Sequence, residues 1–228
     1  YNRDIEVFPV LKNILKKITG EEVYKSPTDM GVNMVASAIT DEKVVEEAAK
    51  KEIVRRYLKA ECDYKRGLAT FDTVERTKYL MAELDLNPDF LKVVSASKQM
   101  SKDSGYPCVA LQLANGEIVY GKNKKIISAS GAVVLNALRS VAGMGDDFDI
   151  ISDDILMPIV KLRTDILHYK NGVLTLDDVL VALAISSYSN EKAKRALDKL
   201  ADLLGCEAHS TYILSPQEEQ SLKNLGIN

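Results

Sequence analysis

The stretch that decides the fold reads Pro107-Cys-Val-Ala-Leu-Gln-Leu-Ala-Asn-Gly-Glu-Ile-Val-Tyr-Gly-Lys122. Asn115 and Gly116 separate two apolar runs, which is the strongest short-range signal for a β-hairpin. A two-residue type I′ turn needs positive φ at both central residues, and Asn and Gly adopt it readily. After the turn, a run that begins at Ser128 or Ser130 and is apolar on nearly every side predicts a buried helix. We therefore expect strand, turn, strand and helix at the centre of the fold.

The composition is that of an ordinary soluble globular chain. Its 228 residues are 46% hydrophobic and 28% charged, with a net charge of -3, so the chain can bury a substantial core. Acidic and basic residues are interleaved, and we therefore expect no nucleic-acid partner. No apolar run approaches the roughly 20 residues that a membrane span needs, so we expect no membrane contact.

The three cysteines, Cys62, Cys108 and Cys206, are an odd number and lie far apart in the sequence. Reduced thiols inside secondary-structure elements are the simplest interpretation, and they favour a cytoplasmic protein. The chain also begins at Tyr1 inside a helical pattern. From this start we expect that an upstream region, an N-terminal domain of the same protein, is missing.

Hydrophobic spacing divides the chain into two parts. Residues 1–90 have helical periodicity and include a long helix from 41 to 66. Residues 91–228 contain the hairpin at 108–121, followed in order by a helix, a strand at 148–151, further helices, a strand and a helix. This order predicts an α+β protein, in which a helical subdomain is followed by a three-layer α/β subdomain with a mixed sheet and helices on its faces.

Two familiar sites lack essential residues. The run from Gly116 to Lys122 matches most of a phosphate loop, but its four spacer residues form the second hairpin strand. Asn123 stands where Ser or Thr would bind magnesium. The order of elements is similar to that of cytidine-deaminase-like proteins, but the sequence contains neither the His-x-Glu nor the Pro-Cys-x-x-Cys zinc motif. We therefore expect deaminase-like topology without the metal, and we predict no cofactor.

Lysines and serines around the start of the central helix form the first candidate site. Lys122, Lys124 and Lys125 precede Ser128 and Ser130 in the sequence. A helix N-terminus offers unpaired N–H groups and a favourable dipole to a phosphate or carboxylate. The alternative is a solvated basic loop with an ordinary serine cap. A second polar segment adds three candidate anion-binding residues, although capping alone explains much of it: Lys25, Thr28 and Asn33.

The second candidate site lies near the C-terminus, where Glu207 and His209 share one face of a predicted strand. Histidine exchanges protons near neutral pH, so these two residues form the candidate catalytic pair. The alternative is a hydrogen-bonded histidine at the end of a strand. Neither candidate site has the spacing of a metal centre, and we predict no metal.

Three segments carry a resemblance to a known bacterial family: Tyr1-Asn-Arg-Asp-Ile-Glu-Val-Phe-Pro-Val-Leu11, Lys25-Ser-Pro-Thr-Asp-Met-Gly-Val-Asn33 and Gly205-Cys-Glu-Ala-His-Ser-Thr211. The chain resembles domain-of-unknown-function family 1846, also called uncharacterised protein family 0371, along essentially its whole length. The resemblance implies the C-terminal portion of a longer protein, whose preceding region contains a glycine-rich stretch similar to a phosphate loop. It implies no established reaction and no catalytic residues.

These observations lead to two hypotheses. The first is the C-terminal module of an enzyme that acts on a phosphorylated or otherwise anionic small molecule. The second is a non-catalytic assembly module, in which the long helix at 41–66 mediates the formation of a homo-oligomer. Convergence of the polar segments on one cleft would favour the first hypothesis, and an apolar face covered by another chain would favour the second.

Overall fold

The computed structural model describes residues 13–21, 42–123, 126–145 and 149–228. Contacts divide the chain into two units, residues 1–91 and 92–228. The division into a helical subdomain at 1–90 and an α/β subdomain at 91–228 stays a prediction. In the described part of the chain, no helix has both the length and the apolar character needed to cross a membrane.

The described part of the first unit is helical. Residues 13–19 form a helix, followed by α1 (Glu42–Lys65), α2 (Phe71–Glu83) and a short 3-10 turn (Pro88–Phe90). The charged face of α1 contains ion pairs one turn apart, such as Glu46 with Lys50, as expected for a solvated helix surface. Its apolar residues Ile53, Val54 and Ala60 are buried, and the helix packs against α2. The predicted long helix is therefore confirmed.

The second unit contains the hairpin and the remaining elements. In chain order they are α3 (Lys92–Ser104), β1 (Cys108–Gln112), β2 (Ile118–Lys122), α4 (Ala129–Val141), α5 (Asp153–Lys161), a π-helical turn (Leu162–Ile166), α6 (Leu176–Ser186), α7 (Glu191–Asp198), a 3-10 turn (Leu200–Leu203), β3 (Glu207–Ser210) and α8 (Pro216–Asn224). Ser128 caps α4 with its side chain. Thr175 and Ser215 begin α6 and α8 with capping boxes, in which an acidic side chain returns the hydrogen bond. Local sequence therefore determines where these three helices begin.

β2, β1 and β3 form one antiparallel sheet in that order. The hairpin is confirmed, but its turn differs from the predicted one. The N–H of Leu113 donates to the carbonyl of Glu117 at 2.8 Å, so the loop between them has three residues, and only Gly116 among these has a positive φ (87°). A single positive φ fits a type I turn followed by a bulge, because the glycine absorbs the extra residue. The prediction of a type I′ turn is therefore wrong.

Helices pack on both faces of this sheet. Side chains alternate along a strand, and Val109, Leu111 and Val119 share the main core with α4. Cys108 and Ala110 point to the opposite face, where α3 packs on β1, and both are fully buried. Because helices and an antiparallel sheet form one core here, the α+β class is confirmed.

α4 crosses β2 at close range over Gly121. A Cβ atom at this position would overlap the carbonyl oxygen of Ala129 and the backbone nitrogen of Val133. Glycine is therefore required here, because it has no side chain to collide with the helix backbone. This contact sets the position of α4 relative to β2, and so the direction in which its later side chains extend.

Two predicted features of the sheet are wrong. The three strands pair only antiparallel, so they do not form the predicted mixed sheet. In the described residues, parallel pairing occurs at an isolated bridge between Ile127 and Leu174 and where the C-terminal residues run beside the start of β3. The predicted strand at 148–151 is a bend over its described residues 149–151. Its two isoleucines are buried without strand pairing, which explains the apolar pattern.

Candidate functional site

A cleft of about 650 Å³ runs along the outer edge of β2, and we call it the edge cleft. Its lining comes from β2, from the second half of α4 and from single residues near them: Glu117 before β2, Met144 after α4 and Met100 of α3. The lining residues are Met100, Glu117, Ile118, Val119, Tyr120, Lys122, Asn136, Arg139, Ser140 and Met144. A volume of this size accommodates a small organic ligand or a short part of a larger one.

The hydrogen-bond register explains why the backbone of β2 faces the edge cleft. The ladder begins where the N–H of Leu113 donates to the carbonyl of Glu117, and backbone groups in an antiparallel ladder alternate in direction. Alternate residues of β2, including Tyr120 and Lys122, therefore point their backbone polar groups away from β1. In agreement with this direction, the carbonyl of Tyr120 accepts a hydrogen bond from Nδ2 of Asn136 at 2.8 Å.

Two cations and one carboxylate line the edge cleft. Lys122 extends from β2, and Arg139 extends from α4. The Glu117 carboxylate accepts a hydrogen bond from the hydroxyl of Ser140 at 2.8 Å. Among the described lining residues positive charge therefore exceeds negative, and the carboxylate is already hydrogen-bonded within the protein.

The start of α4 carries a second group of polar residues. Ser130 is fully buried, and its hydroxyl donates to Oε1 of Glu218 at 2.6 Å. The other carboxylate oxygen accepts from the hydroxyl of Ser215 at 3.0 Å, so one glutamate joins the first turns of α4 and α8. The hydroxyl oxygens of Ser128 and Ser130 lie 2.9 Å apart. We call these four residues, together with Tyr212, the serine–glutamate cluster.

Tyr212 adds an ionisable hydroxyl to this cluster. Its pKa is raised to about 12, mainly by burial and further by the negative charge of Glu218, while a hydrogen bond with Ser130 acts in the opposite direction. The phenol is therefore neutral in the physiological range. Glu218 already supplies the negative group that a helix N-terminus favours at Ser128 and Ser130. Whether an external anion also binds at these serines stays a prediction.

The proposed catalytic pair, Glu207 and His209, lies on β3 at the other side of the sheet. Burial lowers the pKa of His209 to about 4, and the charge of Lys98 lowers it further. The imidazole is therefore neutral at pH 7. β1 separates this pair from Lys122, and two strand spacings amount to about 10 Å. The structure does not bring the pair and the lysine into one site, and the catalytic role of the pair stays a prediction.

Five predicted site residues lie outside the described residues: Lys25, Thr28, Asn33, Lys124 and Lys125. Of the other candidates, only Lys122 lines the edge cleft. Sequence analysis missed Asn136, Arg139 and Ser140, which also line it. Arg139 and Ser140 follow Asn136 by three and four residues, so all three lie toward one polar face of an otherwise apolar helix. That spacing is a sequence signal that could have identified them.

The cysteines give no sign of a reactive centre. Cys62, Cys108 and Cys206 form no disulfide with one another. Burial raises the pKa of Cys108 and of Cys206, so both thiols are protonated at neutral pH and are poor nucleophiles. Within the described ranges, no group of three or more His, Cys, Asp and Glu side chains is arranged to hold a metal ion.

Comparison with known proteins matches both parts of the chain. Residues 1–85 match the family model described as domain of unknown function DUF1846, N-terminal, and residues 89–228 match the one described as DUF1846, C-terminal. The expectation of a C-terminal portion alone is therefore wrong. UPF0371 proteins from Clostridium tetani, Clostridium botulinum and Clostridioides difficile are 46%, 46% and 44% identical to the chain over its whole length. The chain spans about half the length of these curated relatives (47%).

Proposed function

We propose that this chain, which belongs to the DUF1846 family, binds an anionic ligand in the edge cleft. One observation carries the proposal: Lys122 of β2 and Arg139 of α4 line the same cleft, beside the amide of Asn136 and the hydroxyl of Ser140. A planar guanidinium donates two parallel hydrogen bonds to a carboxylate or phosphate, and a lysine adds a compact positive charge. Cations from two separate elements therefore fix both the sign and the orientation of a bound group.

The distribution of charge in the edge cleft limits the ligand further. Glu117 disfavours a ligand that is negatively charged along its whole length, because like charges repel. Met100, Ile118 and Met144 contribute apolar surface to the same lining. We therefore propose a ligand that carries its phosphate or carboxylate on one part and presents apolar or polar surface elsewhere.

Two finer predictions also belong to this proposal. A three-layer second unit with deaminase-like topology is supported by the helices on both faces of the sheet and by the hairpin followed by a helix. The prediction of an enzyme that acts on the anionic ligand rests on His209, whose imidazole is neutral at pH 7 but, with a pKa of about 4, is a weak base. Because β1 lies between His209 and the edge cleft, the larger protein would have to bring further groups to the ligand for a reaction to occur.

The test of anion binding is isothermal titration calorimetry on the 228-residue chain with inorganic phosphate and with citrate as probes. We expect binding of at least one probe, and at least tenfold weaker binding after Arg139→Gln or Lys122→Gln. Lys194→Gln is the matched control, because Lys194 is an exposed lysine on α7 that does not line the edge cleft. Absence of heat with both probes, or equal affinity in the Arg139→Gln and Lys194→Gln variants, would contradict the proposal.

Assembly is the second candidate function. Val181 and Ile185 lie one turn apart on α6 and are 57% and 52% exposed, and Tyr188 just after the helix is 98% exposed. Adjacent exposed apolar side chains of this kind are typical of a surface that another chain covers. Size-exclusion chromatography with light scattering provides the test. A dimer that dissociates after Val181→Asp supports assembly, and a monomer at all concentrations excludes it for this surface.

A further inference from the structure

The two edges of the sheet in the second unit differ in what covers them. On the outer side of β3, the N–H of Ala208 donates to the carbonyl of Asn228 at 2.8 Å. The N–H of Asn228 in turn donates to the carbonyl of Cys206 at 2.9 Å. The last residues of the chain thus occupy this edge, and they leave it no room for a further strand.

The outer edge of β2 carries unused backbone donors. The register directs the N–H groups of Ile118, Tyr120 and Lys122 outward, and none of them has a backbone partner among the described residues. At this edge the carbonyl of Tyr120 accepts a hydrogen bond from the Asn136 side-chain amide. The backbone N–H of Tyr120 has no backbone partner among the described residues. A row of unpaired backbone groups is a template for the addition of another strand.

We infer that an extended acidic segment of another protein adds as a strand to the outer edge of β2. This inference rests on the proposed function, because Arg139 on the α4 face and Lys122 on the α3 face would each bind an acidic side chain of that segment. The edge cleft runs along the same edge, so a bound strand would occupy it. Main-chain hydrogen bonds would supply affinity, and the cations would select acidic over basic sequences.

The lining of the edge cleft matches the shape of a strand. Side chains of a strand point alternately to its two faces. One side of the edge cleft offers Met100 of α3 and Lys122, which the register places on the same face as Cys108, and the other offers Arg139 and Ser140 of α4. A segment with acidic residues on both of its faces would therefore place one carboxylate near Lys122 and another near Arg139.

A lysine on an edge strand also has a purely protective role, because its charge hinders edge-to-edge aggregation. That role predicts that no peptide binds to β2 at all. Lys122 alone does not distinguish the two roles. Arg139 favours binding, because it comes from a different element and lines the same cleft.

The test measures fluorescence polarisation of a labelled seven-residue valine peptide with two adjacent aspartates at its centre, one for each face, acetylated and amidated at its ends, on the 228-residue chain. Two further peptides carry N-methyl groups on alternate residues. In one peptide the methyl groups block the N–H groups of one edge of the strand, and in the other they block those of the opposite edge. We expect one methylation pattern to weaken binding at least tenfold and the other to leave it unchanged, because only one edge faces β2. A peptide with lysine in place of aspartate should not bind. Equal effects of both methylation patterns would overturn strand addition.

Variants of the chain locate the site. Tyr120→Pro removes an outward N–H and keeps the ladder to β1, so it should abolish peptide binding. Lys122→Gln should weaken the binding of the acidic peptide, and Lys194→Gln should leave it unchanged. Where Tyr120→Pro fails to fold, the pair of N-methylated peptides decides the question on the unmodified chain.

The outcomes separate this inference from the proposed function. If citrate or phosphate binds and the peptide does not, strand addition is wrong and anion binding stands. If neither binds, both are wrong. If the chain self-associates and Tyr120→Pro makes it monomeric, a second copy occupies the edge and the acidic partner is wrong.

Discussion

The two ends of α4 hold polar groups of opposite kind. At its start, the serine–glutamate cluster is buried, and Glu218 provides the negative charge from within the chain. In its second half, Arg139 joins Lys122 of β2 at the edge cleft, and both charges are positive. The polar groups at the start of α4 hydrogen-bond to one another, whereas the two cations line a cleft.

This difference separates structural from binding roles of polar residues. A helix N-terminus attracts a negative group, and here a glutamate 88 residues away in sequence satisfies it. The same electrostatic reasoning predicted an external anion at the serines. Arg139 of α4 and Lys122 of β2, by contrast, come from two elements and line one cleft. We therefore expect changes at the start of α4 to affect stability, and changes in its second half to affect binding.

The largest effect should follow from Gly121→Ala, which would disturb both ends of α4 at once. The added Cβ would overlap backbone atoms of Ala129 and Val133, and helix backbone cannot move aside as a side chain can. We expect a loss of about 3 kcal/mol or more in the free energy of unfolding, since overpacking commonly costs 1 to 3 kcal/mol. Urea unfolding followed by circular dichroism measures it. Gly145→Ala is the control, because a Cβ there meets no atom, and it should change stability by less than about 0.5 kcal/mol.

The next largest loss of stability should come from Glu218→Ala, which acts at the start of α4 and not at the edge cleft. The substitution removes the carboxylate that accepts from Ser130 and Ser215. Loss of a cap costs about 1 kcal/mol and loss of a hydrogen bond to a charged group about 1.5 to 3, so we expect a total of about 2 to 3 kcal/mol. Asp202→Ala removes an exposed ion pair with Lys199 and should cost less than about 0.5 kcal/mol. Equal losses in the two variants would remove the distinction between the ends of α4.

Local patterns predicted much of the second unit because the forces concerned act over a few residues. The sequence predicted a helix that begins at Ser128 or Ser130, and Ser128 caps it, since a cap needs only a neighbouring N–H. Asn115-Gly116 correctly indicated a hairpin. It did not determine the loop length, because the pairing of Leu113 with Glu117 depends on how the two strands pack.

The candidate sites were harder to predict, because they depend on contacts between distant residues. No local signal places Glu218 beside Ser130, and without that contact the serines were interpreted as an external anion site. Lys122 was selected from the basic loop, and it does line the edge cleft. Its partner Arg139 was recognisable from helical spacing, but only the packing of α4 on β2 shows that the two cations share a cleft.

A smaller effect is expected at high pH from Tyr212, which tests whether the serine–glutamate cluster is closed to solvent. Its pKa lies near 12 in the folded protein and near 10 in the unfolded chain, so only the unfolded chain ionises between these values. The contribution of Tyr212 to stability should therefore stay constant below pH 10 and fall as pH rises from 10 to 12. We expect a loss of about 1 kcal/mol, less than two full pKa units would give, because the ring is partly exposed. Urea unfolding from pH 8 to 11.5 measures this loss. The free energy of unfolding should fall less with pH in Tyr212→Phe than in the wild type, and an equal fall in both would contradict a cluster closed to solvent.

The smallest effect on stability should come from Lys122→Gln in the edge cleft. The ammonium group makes no ion pair among the described residues, so its removal leaves no buried partner behind. We expect a change of less than about 0.5 kcal/mol in the free energy of unfolding, as for ordinary surface substitutions. The same variant should bind phosphate or citrate at least tenfold more weakly. Measured on one sample, unfolding should therefore show almost no change and calorimetry a large one. A large loss of stability together with unchanged binding would mean that Lys122 supports the fold, and the contrast between the two ends of α4 would disappear.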